Sequence, residues 1–232
     1  MRKSLLALVA FLSAPAAFAQ TAPAQPAAAP PAIDQENILN LDLSTGGRVV
    51  IQLRPDKAPQ SVERIKTLTR QHFYDGLIFH RVIDGFMAQT GDPQGTGQGG
   101  SPLPDLKAEF NDLPHVRGTV SMARADAIDS ANSQFFIMFQ PMLRLDGKYT
   151  PFGRVISGMQ YVDVIERGEP PANPSRIVRA SIGAENVPPL SADELKAAVK
   201  PVPSPPVGVI APAAQKPVPA KKAVPVKKTG RK

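Results

Sequence analysis

Hydrophobic and polar positions alternate in several short runs along the chain, separated by two stretches of longer period. Leu39, Leu41 and Leu43 alternate with polar neighbours, Thr45-Gly46-Gly47 marks a turn, and Val49, Ile51 and Leu53 alternate beyond it. A period of two around a turn predicts a β-hairpin. Pro59 opens a stretch in which Val62, Ile65 and Leu68 recur at helical spacing. This predicts a helix to about Arg70, with proline where its missing N–H is no loss. A second hairpin is predicted around Asp84-Gly85, with Phe79, Arg81 and Ile83 on one face of its first strand and Met87 and Gln89 on one face of its second. Residues 93–104 are rich in glycine and proline and read as a loop. No Gly-Lys-Ser/Thr follows them, and no helical pattern opens behind them, so a phosphate cradle is not indicated.

Further strands are predicted at 116–123, 133–140, 152–156 and 176–184. In 133–140 both alternating faces are apolar: Gln134, Phe136 and Met138 face one way, Phe135, Ile137 and Phe139 the other. Such a strand is central, with one side in the core and one lining a pocket. Phe79, Phe135, Phe139 and Phe152 are assigned to the core. Met159, Val162 and Ile165 predict a short helix over 159–167, stopped at Gly168. Many strands and two helices predict a mainly β fold, a mostly antiparallel closed barrel.

The two ends of the chain read differently. Residues 1–19 have the charged start, short apolar run and Ala17-Phe18-Ala19 motif of a secretory signal, predicting export to the periplasm and cleavage after Ala19. Residues 20–35 form an Ala/Pro-rich linker, 36–186 the folded domain and 187–232 a Pro/Lys-rich tail. Within the tail, Ser191 and Glu194 have the spacing of a capping box, which predicts a short helix near 191–199. The formal charge of +7 belongs to the ends: residues 20–185 hold 16 Lys/Arg against 18 Asp/Glu. The basic tail reads first as a solvated, disordered extension; anionic envelope polymers are the other reading, and export makes nucleic acid an unexpected partner. There is no cysteine, and the three histidines have no metal-ligand spacing, so neither a disulfide, a metal nor a cofactor is expected.

Three stretches then carry chemistry: Phe79-His80-Arg81 through Gly91-Asp92, Gly118-Thr119-Val120-Ser121-Met122-Ala123-Arg124, and Ser133-Gln134-Phe135-Phe136 followed by Leu145-Asp146-Gly147-Lys148-Tyr149. In order and spacing they resemble the cyclophilin-type peptidyl-prolyl isomerases, over about residues 37–185. The resemblance implies an eight-stranded barrel capped by two helices, a monomer, and proline-containing polypeptides as substrates. It implies that Arg81 is the catalytic arginine and Gln89 the glutamine that orients it. Phe86, Met87, Phe136 and Leu145 match the proline pocket, Ala123 and Arg124 the segment whose backbone holds the peptide, and Gln134 the same groove. Tyr149 stands where many members have histidine. Arg144 stands where cyclosporin-sensitive members have tryptophan, so weak cyclosporin binding is expected. His80 is assigned a structural role. The leading reading is an exported isomerase that assists folding. A holdase using the same groove is the alternative, against which the intact Arg81/Gln89 pair argues.

Overall fold

The computed structural model describes residues 34–198. The expected signal segment, the linker up to residue 33 and the tail beyond residue 198 lie outside them. Eight strands form one antiparallel sheet: β1 (Ile38–Leu43), β2 (Gly47–Leu53), β3 (Arg81–Ile83), β4 (Met87–Thr90), β5 (Thr119–Met122), β6 (Phe135–Met138), β7 (Thr150–Ser157) and β8 (Ile177–Ile182). Their order is β3-β4-β6-β5-β7-β2-β1-β8. Three α-helices accompany them: α1 (Pro59–Arg70), α2 (Met159–Asp163) and α3 (Ala192–Ala198).

The first hairpin and α1 follow their sequence patterns. Leu39, Leu41, Leu43, Val49 and Ile51 are wholly buried, and Val62, Ile65 and Leu68 of α1 pack into the same core. Phe79, Phe135, Phe139 and Phe152 belong to that core as well. The strands expected at 116–123 and 133–140 are shorter than their apolar runs, although the N–H groups of Gly118 and Ala123 still donate across to the carbonyls of Met138 and Gln134.

The sheet is curled but not closed, contrary to expectation. β3 and β8 are its two ends and share no ladder. Isolated bridges span the gap instead, Val82 with Gly168 and Ile78 with Arg176. The segment lying along β3 continues into Pro170 and Pro171, which have no N–H to donate and cannot extend a ladder. The edge is nonetheless satisfied, since Val82 and Gly168 exchange N–H···O bonds of 2.8 and 2.9 Å. α2 ends at Asp163 rather than Arg167, and the Glu166 N–H donates to the Ser175 hydroxyl instead of continuing the helix. Gly168 is not a helix stop; it delivers its backbone to Val82.

A third helix joins the two expected around the barrel. β1 buries Asp42, whose carboxylate accepts hydrogen bonds from Arg48 at 2.7 and 2.9 Å and from Arg179 at 2.8 Å. The same guanidinium groups donate to the carbonyls of Val187 and Pro188. The chain leaving β8 is thereby strapped to the sheet before it enters α3. Ser191 and Glu194 form the expected capping box, with Glu194 accepting from both the N–H and the hydroxyl of Ser191 at 2.7 Å. Leu195 of α3 is buried. Asp42→Ala leaves two arginines without their shared anion. It is expected to lower the unfolding free energy by about 2–3 kcal/mol, less than for a fully buried pair because the arginines are partly solvated. Urea denaturation measures this.

Candidate active site

β3 and β4 pair with Arg81 opposite Gln89 and Ile83 opposite Met87. Asp84–Phe86 make the turn, with Gly85 at φ +64°, a conformation that favours glycine. Gln89 in turn lies opposite Phe136 on β6, and Phe136 opposite Ser121 on β5. Residues directly opposite share a face. Arg81, Gln89, Phe136 and Ser121 therefore form one row across four strands. Their neighbours Val82, Ala88, Ile137 and Val120 point the other way, into the main core. Phe79, expected on the Arg81 face, also enters that core, because β3 begins only at Arg81.

On the Arg81 side a second, smaller cluster buries Met87, Ala123, Phe136, Met138 and Leu145. Above it lies a hollow of about 310 Å³. Phe86, Met87, Ala123, Phe136, Leu145 and Tyr149 line it, with Arg81, Gln89 and Arg124 as its polar side. Gln134 lines a neighbouring hollow of about 470 Å³ that shares Gln89, Ala123 and Arg124 with the first. Nine of the ten sequence-predicted positions thus border one cup, and the tenth borders the space beside it. Arg144 is exposed and lines neither.

A string of polar contacts orders the rim. The Arg81 Nε donates to Glu169 at 2.8 Å, and one terminal nitrogen lies 3.4 Å from the Gln89 carbonyl oxygen. Gln89 donates to Gln134 at 2.8 Å, and Gln134 donates to the carbonyls of Gly97 and Gly99 at 3.1 and 2.7 Å. Among the described residues, Nη2 of Arg81 makes no hydrogen bond. Across the cup, the Tyr149 ring meets Phe136 edge-on at 5.7 Å, and the Arg124 guanidinium lies 5.0 Å from the Tyr149 ring centre. Arg124 also donates to the carbonyls of Ala125, Asp126 and Lys148, which fixes the turn after β5.

The Gly-rich loop is organised by Asp92. Its buried carboxylate accepts N–H bonds from Gln94, Thr96 and Gly97 at 2.6–2.9 Å. Burial works against its ionisation, but these donors hold its pKa below the usual carboxylate range. Gly99 packs so closely here that a Cβ would sit 2.1 Å from an Asp92 oxygen. Sequence reading did not single out Asp92, Gly97 or Glu169. The Gly-rich composition of 93–104 marks the segment that holds Gly97, but nothing local marks Asp92 as its anchor. Glu169 lies 88 positions from its partner, and nothing local marks it.

The chain matches the model of the cyclophilin type peptidyl-prolyl cis-trans isomerase/CLD family over residues 39–182. The chain belongs to the cyclophilins. A probable peptidyl-prolyl cis-trans isomerase of Brucella suis is 45% identical over 199 residues, covering 79% of this chain and 97% of that one. Peptidyl-prolyl cis-trans isomerase B of Bacillus subtilis is 42% identical over 129 residues, 55% of this chain and 89% of that one. Among solved structures, cyclophilin AquaCyp293 from Hirschia baltica superposes with a TM-score of 0.62 at 29% identity, over 67% of this chain and 77% of that one. A Cryptosporidium parvum cyclophilin determined in the presence of the dipeptide Ala-Pro gives 0.59 at 28% identity, over 62% and 98%. The reaction of this cyclophilin is that of its family, rotation of the peptide bond before proline.

His80 precedes the arginine in this cyclophilin but lies buried behind the cup wall rather than lining it. Burial lowers its pKa, and the nearby Asp92 charge only partly opposes this. An imidazole whose folded pKa is depressed contributes stability above its unfolded value, near 6.5, and loses it as pH falls below that value. The unfolding free energy of the wild type is therefore expected to fall between pH 7.5 and 5.5. His80→Asn, measured by urea melts at both pH values, should flatten the difference.

Proposed function

We propose that the cup holds the proline ring of an X-Pro segment while Arg81 donates to the imide nitrogen as the bond twists. The bond rotates over a barrier of about 18–20 kcal/mol because amide resonance is lost. The two planar isomers differ by only about 0.5–1 kcal/mol. Such a reaction needs neither a nucleophile nor a proton transfer. It needs a site that binds the half-rotated amide better than either planar form. As the C–N bond turns, the nitrogen lone pair localises and becomes an acceptor. A guanidinium, charged at all relevant pH and rigid in its N–H directions, is a suitable donor.

The observation that carries this reading is the way Arg81 is tethered. Nε is taken by Glu169 and one terminal nitrogen lies near Gln89, while Nη2 makes no hydrogen bond among the described residues and Arg81 lines the cup. The Glu169 pair is solvent-exposed on both partners, so it adds little stability. Its use is to limit where the guanidinium can point. Gln89 and Gln134 pass the same restraint back to the Gly-rich loop. Ala123 and Arg124 border both hollows, where the flanking peptide would lie. Held on both sides, the substrate rotates at its central bond alone.

The leader-like residues 1–19 extend this reading to exported clients. Slow X-Pro exchange limits folding in every compartment, and a catalyst that needs no ATP suits one without it. Arg144 in place of an indole removes a flat apolar surface and a donor, which supports weak cyclosporin binding.

Arg81→Ala is expected to lower kcat/KM by about 10²–10³, the loss of one transition-state donor, in a protease-coupled assay on a Pro-containing tetrapeptide. Circular dichroism should be unchanged. Activity like that of the wild type would remove Arg81 from this role. For the basic tail, removal of residues 199–232 is expected to abolish salt-sensitive cosedimentation with anionic envelope fragments and to leave isomerase activity intact. The cut spares α3, whose Leu195 is buried.

A further inference from the structure

One buried residue behind the cup is used neither as donor nor as wall. His115, in the loop before β5, is wholly enclosed. Its backbone N–H and its ring Nδ1 both reach the same oxygen of Asp146, at 2.8 and 2.7 Å. Its Nε2 lies 3.1 Å from the Ser121 hydroxyl, and its carbonyl accepts the N–H of Met142 at 2.8 Å. The ring lies nearly parallel to Phe136, with centres 6.2 Å apart, and meets Tyr149 edge-on at 6.5 Å.

Ser, His and Asp in a hydrogen-bonded string invite comparison with a hydrolase triad. That use is closed, because Ser121 has no exposed surface and no substrate carbonyl can approach its hydroxyl. The string does something else. Asp146 follows Leu145 directly. The Leu145 carbonyl accepts the N–H of Tyr149 at 3.2 Å, and Leu145 itself donates to Met142 at 3.0 Å. The turn that carries two cup walls is therefore hung from His115 through Asp146 and Met142. The third wall, Phe136, lies beside the His115 ring and nearly parallel to it.

We infer that His115 is a positioning residue for the isomerase reaction: with Asp146 it sets the spacing of Phe136, Leu145 and Tyr149, and so the fit of the proline ring. This rests on the cup reading given above. The mutual placement of the three walls acts on planar and twisted substrate alike, so its loss appears in KM rather than in kcat.

The test uses the full chain and three variants beside the wild type. Asp146→Ala removes the acceptor. Asp146→Asn keeps a carbonyl oxygen where the shared carboxylate oxygen stands. His115→Phe keeps the ring but not the polar ties. Asp146→Ala is expected to raise KM for a Pro-containing tetrapeptide by about five- to tenfold, with kcat within about twofold. Asp146→Asn should stay within about twofold in both. His115→Phe should behave as Asp146→Ala; if it does not fold, Asp146→Ala, at a partly exposed position, carries the test alone. Phe136 and Tyr149 ring signals in NMR should shift or broaden in Asp146→Ala and not in Asp146→Asn. A folded Asp146→Ala with unchanged KM, unaltered ring signals, or losses equal to those of Asp146→Asn overturns the positioning role. An inactive wild type would instead overturn the reaction reading, and the ring signals would still decide whether His115 places the walls.

Discussion

The pairing of Arg81 with Gln89 across β3 and β4 is the contact on which the rest of the site depends. Strand register alternates faces with a period of two, so a slip of one residue would send Arg81 into the main core and Val82 toward solvent. An unpaired guanidinium among Val82, Ala88 and Ile137 would be prohibitively costly. The register is therefore held by the same hydrophobic rows that build the core. Once it is set, Gln89, Phe136 and Ser121 fall into line behind Arg81. Guanidinium, amide, cup-lining ring and buried hydroxyl occupy successive positions across four strands.

The incompletely closed sheet shapes the surroundings of Arg81. Had β8 paired along the free edge of β3, that edge would be occupied by a strand. Instead the edge is met by Gly168, and the next residue, Glu169, is set down beside Arg81. The prolines after it prevent the segment from becoming a strand. A topological gap thus supplies the carboxylate that restrains a half-exposed cation. A surface ion pair has little worth in stability, so for the role proposed for Arg81 the pair matters by limiting where the guanidinium points.

Each loop of the rim is tied to a polar anchor, buried in the case of Asp92 and His115 and partly exposed in that of Arg124. Asp92 gathers the N–H groups of the Gly-rich loop, His115 gathers the turn that carries Leu145 and Tyr149, and Arg124 gathers the carbonyls after β5. Buried polar groups are expensive unless satisfied. These loops consequently have one well-satisfied arrangement each, and the cup inherits its shape from them. A reaction that requires only differential binding requires this kind of rigidity more than it requires reactive side chains.

Much of this was determined by sequence alone. Period-two runs and one helical stripe located β1, β2, α1 and the Arg81 hairpin, since burial of one face is written directly into residue spacing. The doubly apolar run at 133–140 announced a strand between a core and a pocket, and three ordered motifs marked the residues that border the cup. Tertiary structure alone decided the openness of the sheet, the early end of α2, the departure of Phe79 from the Arg81 face, and the strapping of residues 187–188 by Arg48 and Arg179. It alone brought Glu169 to Arg81 and Asp146 to His115. The physical reason is common to all of these. Local pattern records which side of a strand is buried, but pairings between polar groups scores of residues apart depend on where the sheet's curl brings its edges, and no local period encodes that.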